Sequence, residues 1–201
     1  IRYGLVEMQR GMWEDKESIY RQCRSVVIDL ENDELALTPF KKFFNINEVE
    51  ENNVDNLVEK IKQAKVFEIS NKLDGSMISI RYYKGDYLIS TSMTLNEETS
   101  WRLQDAKEMF YKDKSIMEFV KDYSDYTFVF EYISLRDAHV VIYNKEDEGL
   151  YLLGMVNTYT GEELDYSKVI SLGERYKVKC VELENITLDD VLEKSKEFKS
   201  N

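Results

Sequence analysis

The 201-residue chain has one histidine, two cysteines and one proline. A single imidazole, His139, excludes histidine-rich zinc sites and any mechanism that needs two imidazoles. Cys23 and Cys180 are too few for a disulfide framework or a thiolate cluster, which suits a reducing, cytoplasmic compartment. One proline, Pro39, against a usual share of about 5% leaves no Pro-rich linker and favours long ordered elements. Positive charge is also short: 27 Lys and Arg stand against 39 Asp and Glu, a formal net charge of −12. Bulk attraction to a phosphate backbone is therefore excluded, and any nucleic-acid contact has to be a local cationic patch. No run of about 18 apolar residues occurs, so neither a membrane span nor a membrane partner is expected. Apolar residues, by contrast, make up 43% of the chain, enough for a sizeable core in one or two domains.

Extended and helical periods alternate along the chain. The runs at 25–30 and 34–40 read as a hairpin across the polar turn Glu31-Asn32-Asp33. Over 46–64, Val49, Val54, Leu57, Val58 and Ile61 recur at helical spacing, with acids early and lysines late, as the helix dipole favours. Strands are expected at 66–70, 77–83 and 86–91, the last two joined by Lys84-Gly85-Asp86. A helix follows over 101–121, then strands at 126–133, 139–143 and 149–156. A helix at 164–172, a strand at 177–183 and a helix at 188–198 behind Thr187 complete the pattern. Grouped strands without βαβ alternation predict an α+β fold, antiparallel sheets flanked by helices.

Chemistry concentrates at Lys72-Leu73-Asp74-Gly75-Ser76, between two expected strands. A lysine there serves as a nucleophile if desolvation or neighbouring cations keep its amine unprotonated. Glycine permits close approach of the backbone to a phosphate, and the adjacent Asp74 can orient the amine or help hold Mg²⁺. Taken alone, the segment is equally a surface turn, since Asp-Gly is a common turn pair.

Three further strings stand in a recognisable order with it. They are Gln22-Cys23-Arg24-Ser25-Val26-Val27, Pro39-Phe40-Lys41-Lys42-Phe43-Phe44-Asn45 and Phe128-Val129-Phe130-Glu131-Tyr132-Ile133. Together with K-x-D-G-S, and with Leu152-Leu153-Gly154-Met155-Val156-Asn157 after them, they resemble the phage-type RNA ligase 1 family of covalent lysyl-AMP nucleotidyltransferases. The resemblance implies a nucleotidyltransferase (ATP-grasp-like) adenylylation domain. It also implies that Lys72 attacks the α-phosphorus of ATP, forming a lysyl-AMP phosphoramidate with loss of pyrophosphate. Arg24 and Lys42 would then bind the triphosphate, Glu131 would accept from the ribose, and Gly75 would let the backbone approach the nucleotide. Phe44 is either a support for the base or the lysine loop, or an ordinary core phenylalanine. ATP and Mg²⁺ are the implied cofactors, with Asp74 a possible metal ligand, and the implied partner is RNA with 5′-phosphate and 3′-OH ends.

Departures from the family pattern accompany the match. Ser25 stands where C-R-G has glycine, and Ser90-Thr91-Ser92-Met93-Thr94 lacks the family's basic residue. Leu135-Arg136-Asp137-Ala138-His139 replaces P-x-N-R-I, and His139 is expected to have no catalytic role. Glu148-Gly149-Leu150 and Lys177-Val178-Lys179 mimic motifs IV (E-G-x-V) and V (K-x-K) but come too early. Residues 1–201 are accordingly expected to be the N-terminal part of an adenylyltransferase domain, incomplete at the C-terminus and inactive or weakly active alone. A non-catalytic nucleotide- or RNA-binding module descended from a ligase is the alternative expectation, and a DNA ligase or capping-type enzyme a more distant one.

Overall fold

The structure, a computed structural model, describes residues 2–5, 19–137 and 140–197. His139 and Ala138 lie outside the described residues. Two antiparallel sheets form the scaffold. The smaller has strands β1 (Tyr3–Leu5), β2 (Val27–Asp29) and β3 (Glu34–Leu37) in the order β1-β2-β3. The larger has β4 (Ser76–Tyr83), β5 (Asp86–Thr91), β6 (Tyr126–Ile133) and β7 (Gly149–Asn157) in the order β5-β4-β6-β7.

Period-two alternation sorts the larger sheet's faces. Ile78, Ile80, Phe128, Phe130 and Tyr132 join one core cluster with Leu103, Phe110 and Phe119. These last three come from α2 (Trp101–Lys112) and α3 (Lys114–Asp122). The other helices are α1 (Val54–Gln63), α4 (Tyr166–Tyr176) and α5 (Leu188–Glu197). Among the described residues no helix is long and apolar enough to cross a membrane. Glu131 alternates with Phe130 and Tyr132, and so belongs to the face turned away from these helices.

Several boundaries differ from the sequence expectation for local reasons. The expected helix at 101–121 is two, because the Asp113 carboxylate accepts from Ser115 and Ile116 N–H at 2.9 and 3.1 Å and starts a new helix. Asn53 does the same for α1, accepting from Asn56 N–H at 2.8 Å, so helix begins well after residue 46. Neither 66–70 nor 177–183 forms a strand ladder: Ser70 bridges Leu183 and Cys180 bridges Leu152 of β7 in isolation, and Lys177 is the left-handed C-cap of α4. Residues 140–143 form a loop rather than a strand.

The two sheets are joined by a buried cation. Arg81, 3% exposed, donates to the carbonyls of Ser124, Leu35 and Ala36 and to the Tyr159 hydroxyl at 2.8 to 3.1 Å. These partners satisfy the guanidinium without a carboxylate among them.

A second joint is acidic. The fully buried Asp29 lies 2.9 Å from both Lys84 Nζ and the Tyr83 hydroxyl. Burial alone would raise its carboxyl, but hydrogen bonds from Lys84, Asn32, the Glu31 backbone and Tyr83 outweigh it and hold the carboxyl far below the usual range. Burial, first, pushes the Tyr83 hydroxyl up to about 12. A depressed carboxyl stabilises the fold fully above the unfolded value near about 4, and that stability is lost as pH falls through the folded value. Thermal unfolding midpoints should therefore drop on acidification below about pH 4, and the drop should be shallower in Asp29→Asn. Equal slopes for the two proteins would contradict this account.

Candidate active site

The Lys72 loop is fixed from both ends. Upstream, the Glu68 carboxylate accepts from Tyr166 and Ser167 N–H at 2.8 and 2.9 Å, capping α4. Glu184 N–H donates to Ile69 O at 2.8 Å, and Asn71 Nδ2 donates to Glu184 Oε1 at 2.7 Å. Downstream, Gly75 N–H donates to Glu131 Oε1 at 2.8 Å and Ser76 Oγ donates to Asp137 Oδ2 at 2.6 Å. Asp74 Oδ2 accepts from Val140 and Val141 N–H at 2.7 and 2.9 Å, while its own N–H donates to the Tyr143 hydroxyl at 2.8 Å. The Lys72 side chain is treated differently. Its amine is exposed, and among the described residues its one hydrogen bond is a long one, 3.3 Å, to the Leu73 carbonyl. A loop braced by hydrogen bonds thus presents a loosely held amine.

That amine opens on a cleft of about 630 Å³. Arg24, Lys72 and Arg102 bring positive charge to its wall, and Glu131 brings a carboxylate. Phe40, Phe43, Met77, Met93 and Leu153 supply apolar surface, and Thr91, Ser92, Thr94, Thr99 and Ser100 supply neutral polar groups. Fixed cations beside a flat apolar seat suit a nucleotide, whose phosphates and base need opposite surroundings.

A sequence model of the RNA ligase family, of the T4 RNA ligase 1 type, matches residues 22–201. The chain belongs to the RNA ligase family. A comparison with curated protein sequences returns no significant match. Among solved structures, an archaeal ATP-dependent RNA ligase superposes with a TM-score of 0.53 at 18% identity, covering 79% of this chain and 40% of that one. A Naegleria gruberi RNA ligase variant without ligand gives 0.54 at 20% identity, covering 76% and 47%. Another variant of that protein, with ATP and Mn, gives 0.51 at 19% identity with the same coverage of 76% and 47%. The chain thus spans less than half the length of these structures, and shares their fold.

The expected site residues separate into two groups. Arg24, Lys72, Gly75 and Glu131 meet in the cleft. Lys42 and Phe44 stand outside the cleft wall: Lys42 Nζ lies 4.6 Å from the Phe44 ring centroid, and the Arg21 guanidinium lies 4.9 Å from the same ring. Arg21 in turn pairs with Glu51. In this extended stretch it is Phe43 that faces the cleft, where it lies 5.3 Å under the Arg24 guanidinium. Asp74 is the expected metal ligand, yet one of its oxygens is already engaged by two backbone N–H groups. Among the described residues no group of three or more His, Cys, Asp or Glu is arranged to hold a metal. Gly75 has a packing reason beyond the nucleotide, since a Cβ there would lie 2.3 Å from Tyr132 O.

The two motif mimics make hydrogen bonds to neighbouring loops. Lys179 Nζ donates to the Glu146 and Glu148 carbonyls at 3.5 and 3.2 Å, and Glu148 Oε1 accepts from Leu135 N–H at 3.0 Å. Arg102, in the cleft wall, and its ion-pair partner Asp137 are residues that motif reading did not single out. Both fall in stretches read only for helix period or for departure from the family pattern.

Ser25 lies in the left-handed region that glycine adopts most readily, with φ +58°. Its Oγ donates to Ser92 O at 2.9 Å, tying the turn that carries Arg24 to the residue after β5. Ser25→Val should cost about 2 kcal/mol and lower the melting temperature by roughly 4–8 °C, because a β-branched residue is strained in the left-handed region. Ser25→Gly should stay within about 1 kcal/mol of wild type, relief of strain offsetting the lost hydrogen bond. Thermal unfolding of both variants checks this ordering.

Proposed function

We propose that the protein to which this chain belongs is an ATP-dependent RNA ligase that adenylylates itself on Lys72. The observation that carries this reading is the exposed Lys72 amine on a fully braced loop, sharing one cleft with Arg24, Gly75 and Glu131. The amine lone pair attacks the α-phosphorus of ATP; an N–P bond forms and the P–O bond to the β-phosphate breaks. Pyrophosphate leaves with that electron pair and the amine proton passes to solvent. Arg24 neutralises charge that grows on the phosphates, the usual contribution of fixed cations to phosphoryl-type transfer. Glu131, which accepts from the Gly75 N–H, takes a ribose hydroxyl. Phe40 and Phe43 seat the base. Mg²⁺ accompanies the triphosphate as its hard counter-ion, and no residue of this chain is assigned to it.

An oxygen of an RNA 5′-phosphate then attacks the same phosphorus, breaking the N–P bond. An RNA 3′-OH attacks the activated 5′-phosphate and releases AMP. The test is made on the complete reading frame that carries this chain, since the chain spans only 40–47% of the structures it matches. With α-labelled ATP and Mg²⁺, label should join the protein through a bond that acid cleaves and alkali spares, and added pyrophosphate should remove it. A protein that binds ATP but takes up no label would support a non-catalytic nucleotide-binding module instead.

A further inference from the structure

Arg102 is the cleft cation with a dedicated support. Its Nε donates to Asp137 Oδ1 at 2.6 Å, and the Asp137 side chain is 1% exposed. The same carboxylate accepts from Ser76 Oγ through Oδ2. Ser76 follows Gly75 and opens β4, so one buried carboxylate ties the guanidinium to the loop that carries Lys72. The guanidinium also lies 4.6 Å from the centroid of the Trp101 ring, which narrows the conformations it can adopt.

Charge compensation of Asp137 explains an ion pair at this place but not its orientation. The Arg102 side chain keeps 41% of its surface exposed and forms part of the cleft wall. Asp137 engages Nε, and neither Nη makes a hydrogen bond to a described residue. An arginine held in this way offers two Nη groups as a fork that matches two oxygens of one phosphate. The Thr91-Ser92-Met93-Thr94 part of the wall carries no charge, so Arg102 brings the fixed positive charge that α2 contributes to the cleft.

We propose that Arg102 is a phosphate-binding residue of this cleft, aimed by Asp137 as its positioning residue. The phosphate belongs to the nucleotide's polyphosphate or to the RNA 5′ end, the same chemistry from two sources. The choice between them rests on the ligase reading, whereas the binding itself does not.

Binding is measured on the complete protein with inorganic tripolyphosphate and with a 5′-phosphorylated oligoribonucleotide. Arg102→Ala should weaken at least one probe by about tenfold or more. Arg102→Lys keeps a cation beside Asp137 and removes only the fork; it should fold normally and bind about fivefold more weakly. Asp137→Asn should also weaken binding, and its effect should vanish in the Arg102→Ala background, as expected of a residue that acts through another. Arg136→Ala removes a guanidinium from the same Trp101 ring without touching the cleft wall, and should leave both affinities unchanged. If lysyl-AMP formation slows, the phosphate is the nucleotide's; if only the joining of pre-adenylated RNA slows, it is the RNA's. Both probes bound within twofold of wild type by Arg102→Lys and Arg102→Ala would overturn the proposal. A wild-type protein that binds tripolyphosphate but takes up no label would overturn the ligase reading alone, and the comparison of variants would still decide Arg102.

Discussion

Lys72→Ala is expected to lose self-labelling from α-labelled ATP by on the order of 10⁴-fold or more, while its melting temperature stays close to wild type. The two expectations come from one arrangement. The amine's long hydrogen bond to Leu73 contributes little to the fold, and the bracing of the loop runs through Glu68, Asn71, Asp74, Gly75 and Ser76 instead. Lys72→Arg should fail as completely, because a guanidinium keeps its proton and has no lone pair to offer phosphorus. Label uptake and thermal unfolding measured on the same three proteins check this. A Lys72→Ala protein that labels at the wild-type rate would move the nucleophile to another residue.

Gly75→Ala is expected to damage fold and chemistry together. Its Cβ would sit 2.3 Å from Tyr132 O and 2.7 Å from Ile133 Cδ1. The isoleucine end can rotate away, but the carbonyl cannot, because β6 is held between β4 and β7 by ladders on both sides. The loop must therefore retreat, which breaks the Gly75 N–H bond to Glu131 and leaves a buried carboxylate short of a partner. Overpacking of this kind with loss of a hydrogen bond to a charged group costs about 3 kcal/mol, or roughly 6–12 °C in melting temperature. Labelling should fall with it, since Lys72 is carried by the displaced segment. A Gly75→Ala protein with wild-type melting would show that the loop has slack the packing does not suggest.

The cleft was legible in the sequence where its residues come from contiguous strings. Arg24, Lys72, Gly75 and Glu131 each belong to a short motif whose strand or turn also reads locally, and these four are found together. Lys42 and Phe44 share a string with Phe43, but in an extended stretch neighbouring side chains face different ways, and the string alone does not say which face is inside. Arg102 and Asp137 meet from α2 and from the 3-10 turn Leu135–Asp137, with no spacing rule connecting them. The fold class followed from strand grouping. The single helix expected at 101–121 failed at Asp113, whose cap outweighs continuing apolar periodicity. The strand expected to include 140–143 failed because the N–H groups of Val140 and Val141 are used by Asp74 rather than by a ladder.

Arg81 and Asp29 attach the small sheet at different places, and they answer differently to acid. The carboxyl gives way once protonated, whereas the guanidinium is charged at every pH a protein survives. Acid is therefore expected to weaken the hold on the β2–β3 turn, while the bonds to the Leu35 and Ala36 carbonyls do not depend on pH. Of the two attachments only the carboxylate one is expected to weaken in acid, and it lies on β2, which Arg24 directly precedes. The attachment of the small sheet and the placing of Arg24 in the cleft wall are in this way linked through the start of β2.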